Sequence, residues 1–78
     1  MLKLLCIKKS ENNFIYHYFP EAKTDYGILS INTATGEIQI IKVSESDMHR
    51  RYLGHAVSKL EKFYKTNNYL EESTVAWY

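Results

Sequence analysis

The stretch Tyr26-Gly27-Ile28-Leu29-Ser30-Ile31-Asn32-Thr33-Ala34-Thr35-Gly36-Glu37-Ile38-Gln39-Ile40-Ile41-Lys42-Val43 decides how this chain is read. Two runs rich in isoleucine flank Thr33-Ala34-Thr35-Gly36, where Gly36 can take the positive φ that closes a type I turn with a bulge. Residues 26–32 and 37–43 are therefore expected to pair as a β-hairpin. Two registers fit. If Asn32 lies opposite Glu37, Leu29 and Ile31 share a face with Ile38 and Ile40; if Thr33 lies opposite Glu37, they share it with Ile41 and Val43. Either register leaves apolar residues on the second face as well. The turn itself occurs in many unrelated β proteins and points to no family.

Toward the N-terminus, residues 2–9 and 14–19 are rich in aliphatic, aromatic and β-branched types, and Ser10-Glu11-Asn12-Asn13 between them has turn composition. They predict a first hairpin. Along its second strand Phe14, Tyr16 and Tyr18 alternate with Ile15, His17 and Phe19, so both faces are again apolar. Residues 20–25 read as a polar connection, because Pro20 lacks the N–H that a central ladder needs.

Toward the C-terminus, Ser44-Glu45-Ser46-Asp47 offers N-caps and early carboxylates for a helix that meets no breaker until Asn67-Asn68. At 100° per residue Leu53, Ala56, Val57, Leu60, Phe63 and Tyr64 form one stripe, with Arg51, Gly54, Ser58, Glu61, Lys62 and Lys65 opposite. Asn67 or Asn68 suits the left-handed conformation that ends a helix. The tail Thr74-Val75-Ala76-Trp77-Tyr78 has strand-like composition and is expected to dock, with a short edge strand as the form its composition favours. The fold class is thus α+β: an antiparallel four-stranded meander of two hairpins, then one long amphipathic helix on one sheet face, with room for a short C-terminal strand that pairs with this sheet or with a neighbour's.

At 78 residues the chain accommodates a single domain, residues 1–78. No run approaches the roughly 20 apolar residues of a membrane span. Ten Lys+Arg against nine Asp+Glu leave a net charge of +1, too little to gather nucleic acid or anionic membrane without a local patch. Cys6 is the only cysteine, which excludes an internal disulfide and a cysteine-built zinc site. The apolar run near Met1 is short and lacks a signal-peptide cleavage site, so the expected location is the cytoplasm.

One helix covers one face of a sheet. The other face, carrying Tyr, Phe and Ile, calls for the tail or for a second copy of the protein. The expectation is a homodimer formed through the sheet, with Phe14, Tyr16, Tyr18, Trp77 and Tyr78 as its interface. Seven tyrosines support a contact surface, since each brings large area with a polar tip, although small β domains also use tyrosine at the core boundary.

Chemistry is weakly signalled. Cys6, His17 and His49 could in principle bind zinc or supply a nucleophile, and a turn about Glu11-Asn12 would set Cys6 opposite His17; a turn one residue later sets His17 opposite Lys8. An inert thiol between Leu5 and Ile7 and packing histidines explain the same residues. No phosphate loop, Gly-x-Ser-x-Gly elbow or His-Glu-x-x-His pair is present, and adjacent Glu71-Glu72 diverge in an extended segment. Neither enzymatic activity nor a cofactor is expected. The functional expectation is a self-associating interaction or regulatory module, able to engage a protein partner. The alternative is a nucleic-acid-associated protein using Arg50, Arg51, Lys59, Lys62 and Lys65, where residues 47–66 hold five Lys/Arg against two acids.

Overall fold

The computed structural model describes residues 1–21 and 24–75. Strands β1 (Leu2–Lys9), β2 (Asn13–Pro20), β3 (Gly27–Asn32) and β4 (Ile38–Lys42) follow one another, then helix α1 (Arg51–Thr66) and strand β5 (Glu72–Val75). The sheet has five strands in the order β4-β3-β2-β1-β5, antiparallel throughout. The meander, the single helix and the C-terminal edge strand are those the sequence predicts. Pro20 belongs to β2, whose last position opposite Leu2 it fills.

The β3–β4 turn forms as Gly36 requires. The Asn32 side-chain oxygen accepts from the N–H groups of Ala34 and Thr35 at 2.8 and 3.2 Å, and Gly36, at φ 81°, donates its N–H to the Asn32 carbonyl at 2.7 Å. Ile31 pairs with Ile38 and Leu29 with Ile40, which is the first of the two registers. Past Leu29 the ladder slips, leaving Ile41 as an additional residue before Lys42 pairs with Ile28.

The first hairpin also slips. Lys9 pairs with Phe14 and Lys8 with Ile15, as a turn about Glu11-Asn12 dictates, but Ile7 is an additional residue and Cys6 then pairs with Tyr16. A one-residue shift exchanges the faces. Cys6 therefore does not face His17, whose partner is Leu5. The bulge aligns Leu2 and Leu4 with Pro20 and Tyr18, on the same face as Tyr16, Leu29 and Ile31. Leu4, Tyr16, Tyr18, Leu29 and Ile31 are each 0% exposed, sealed by Leu53, Ala56, Leu60 and Phe63 of α1.

The helix begins at Arg51, later than the Ser44–Asp47 caps suggest, because residues 48–50 form a turn that ends with Arg50 at φ 55°. Arg50 contributes no side-chain cap. Asp47 does so from further back, accepting from the N–H groups of Tyr52 at 3.1 Å and Leu53 at 2.8 Å. Its carboxylate also accepts from the Tyr18 hydroxyl at 3.4 Å, while that hydroxyl accepts from the Ser44 N–H at 3.0 Å. Asn67, at φ 51°, ends the helix in the left-handed conformation. No described helix is long and apolar enough to cross a membrane.

Candidate interaction surface

Because α1 takes one sheet face, the alternate residues of each strand form the other. Leu5, Ile15, His17, Phe19 and Ile28 alternate with the buried set and are only partly exposed. No described helix or strand lies over them, since α1 seals the face bearing Tyr16 and Leu29. The imidazole of His17 stacks on the Tyr26 ring at 4.2 Å between centroids and 10° between planes. Phe19 closes the group, 5.6 Å from Tyr26 and 6.3 Å from His17. The Lys42 ammonium sits over the same Tyr26 ring, 4.8 Å from its centroid. Burial, and to a smaller degree the charge of Lys42, hold the His17 pKa below its ordinary value of 6.5. The result is a polar-rimmed aromatic surface with a neutral imidazole near its centre.

One row of cross-strand partners spans the whole sheet on this face. Glu72 pairs with Leu5, Leu5 with His17, His17 with Ile28, and Ile28 with Lys42. An acid stands at one end and a base at the other. Glu72 is also held at 3.1 Å by Lys3 on β1.

Three of the residues expected to form the interface, Phe14, Tyr16 and Tyr18, lie on the helix side of the sheet. Tyr16 and Tyr18 are fully buried beneath α1, and Phe14 packs edge-on against Tyr69 at 5.2 Å on the same side. Their hydroxyls have internal work: Tyr16 donates to the Leu70 carbonyl at 2.9 Å, and Tyr18 to Asp47. Tyr16 and Tyr18 are core residues, and Phe14 is a partly buried ring packed against that core. Trp77 and Tyr78 lie outside the described residues. The sequence signal that leads to the face opposite the helix is the second phase of β2, Ile15-x-His17-x-Phe19, which becomes decisive once the helix has chosen the first.

Cys6, His17 and His49 are not brought together. Cys6 shares the helix face with Tyr16, His17 is on the opposite face, and His49 is exposed in the turn before α1. Burial pushes the Cys6 thiol above its ordinary value, the reverse of what a nucleophile needs. Among the described residues no group of three His, Cys, Asp or Glu could hold a metal.

The helix cations are arranged more regularly. Arg51, Lys62 and Lys65 are exposed within one stripe of α1, and Lys59 flanks it with its ammonium 5.7 Å from the Phe63 ring. Arg50 is exposed at the helix start. His55, Ser58, Lys59 and Lys62 line a groove of about 340 Å³ against Thr74 and Val75 of β5. The helix puts no aromatic ring on the cationic stripe, since Tyr52 and Tyr64 are turned about 100° and 140° away from it. No family model, curated protein or solved structure matches the chain.

Proposed function

We propose that this chain is a non-enzymatic interaction module that self-associates through the helix-free face of its sheet. The observation that carries the reading is the His17–Phe19–Tyr26 cluster, which no described helix or strand covers and which extends through Leu5, Ile15 and Ile28. These residues are each half-buried by their neighbours and together form a continuous apolar patch, and such patches, like the tyrosine and phenylalanine that build this one, are enriched where partners meet. Sheet spacings give a face of about 20 Å by 20 Å, so two copies would remove on the order of 1,000 Å² from solvent, the threshold of a specific interface. A cytoplasmic site belongs to this reading, in keeping with a lone unpaired Cys6.

The test is a native mass spectrum and sedimentation equilibrium of the purified chain beside Phe19→Glu. A dimer that the substitution converts to a folded monomer supports the reading; a dimer that Phe19→Glu leaves intact moves the interface elsewhere. A second reading rests on the Arg51–Lys62–Lys65 stripe, which could follow a phosphate backbone. It requires salt-sensitive binding of a mixed-sequence oligonucleotide that Arg51→Glu with Lys62→Glu abolishes.

A further inference from the structure

The open face carries a charge pattern that selects how a second copy would sit on it. The row Glu72, Leu5, His17, Ile28, Lys42 has an acid on β5, a base on β4 and His17 on β2, the central strand of five. It is antisymmetric in charge and symmetric in hydrophobicity about His17. Two face-to-face arrangements of identical sheets keep the strands aligned, and they treat this row oppositely. A two-fold axis across the strands sets Lys42 over the partner's Lys42 and Glu72 over the partner's Glu72. An axis along the strands reverses the order of strands, so each basic end meets an acidic one.

We propose that two copies pair about a two-fold axis running along β2 beside His17, with Lys42 of each copy facing the partner's Glu72. The proposal rests on the self-association reading and adds its geometry. Along the axis the β2 residues Ile15, His17 and Phe19 each meet the same residue of the partner. Leu5 meets the partner's Ile28. Sheet twist turns aligned sheets by about 30°, and the long side chain of Lys42 spans the displacement this causes at the rim. Like charges across such a rim suppress the wrong arrangement more than the correct pairs add affinity.

Charge exchange tests the axis. Lys42→Glu sets two acids together at each end of the row, Glu72→Lys sets two bases together, and the double variant restores opposite charges in reversed order. Both positions are exposed, and the Lys3–Glu72 pair that the second change breaks has both side chains about half in solvent, so folding is checked by far-UV circular dichroism and is expected to survive. By sedimentation equilibrium at low salt, each single variant should weaken the dimer about tenfold, and the double variant should recover it to within about threefold. A dimer indifferent to the single changes, or a double variant as weak as the singles, overturns the axis while leaving self-association standing. A wild-type chain that is monomeric at 100-micromolar order of concentration overturns the self-association reading itself.

Discussion

Gly27 stands across the ladder from Tyr18, and the ring of that tyrosine lies over it where a side chain would otherwise be. A Cβ at this position would overlap the Tyr18 ring and come within 2.8 Å of the Lys42 carbonyl oxygen. The backbone cannot yield without opening the β3–β4 pair, and the ring cannot yield without breaking the bonds that tie it to Asp47 and Ser44. Gly27→Ala is therefore expected to lower the unfolding free energy by about 2–3 kcal/mol in urea titrations. Gly54 is the internal control, since it is exposed on α1 with nothing within 4 Å of an added Cβ. Gly54→Ala should raise stability by about 0.5–1 kcal/mol through helix propensity. Of the two roles of glycine in the sheet, that of Gly36 was legible because a turn is a local matter. That of Gly27 was hidden, because it depends on a partner nine residues away whose face was unknown.

At the scale of the element, α1 starts without a cap of its own and with no acid in its first turn. Asp47 supplies the missing acceptors, although it is only 4% exposed and shares them with Tyr18. Replacing it by alanine strands two helix N–H groups and a buried hydroxyl, so Asp47→Ala should cost about 2 kcal/mol and lower the thermal midpoint. Asp47→Asn retains an oxygen and should cost less than half as much. If both variants melt like the parent, the linker is held by the Asp25 bonds to Ser44 and Ser46, both 2.8 Å, and Asp47 is dispensable. The sequence named the capping segment correctly and placed the helix too near it, since the turn at residues 48–50 depends on where Asp47 is buried. The extra residues in β1 and β4 were illegible for a related reason: a bulge leaves no composition signal in a run such as Leu5-Cys6-Ile7-Lys8. Hydrophobic alternation in β2 was plain, but both phases were apolar, and only docking of the helix decides which is core.

For the whole molecule, His17 links stability to pH. Tyr26, Leu5, Phe19 and Ile28 surround the imidazole, and Lys42 on β4 is the charged group that faces it, with Glu72 and Lys3 further out on β5 and β1. Its folded pKa is below the ordinary 6.5, so the unfolded chain binds the proton more readily. The contribution of His17 is complete above about pH 6.5 and is lost as pH falls through the depressed folded value. Urea midpoints should drop between pH 7.5 and pH 5, and His17→Phe should flatten that part of the profile; an unchanged slope would assign the acid sensitivity to other groups. The same protonation places charge on the face proposed to pair, so association and folding should weaken together. The slip at Ile41 matters on this scale too. β4 is an outer strand bearing Ile38, Ile40 and Ile41, the kind of edge onto which a neighbouring chain could add its own strand. An additional residue bends that edge and interrupts its row of donors and acceptors, and Lys42 puts a charge at its end. If the open face closes on one mate, as proposed, a β4 edge that is a poor template for a further copy favours finite assemblies over filaments growing from that edge.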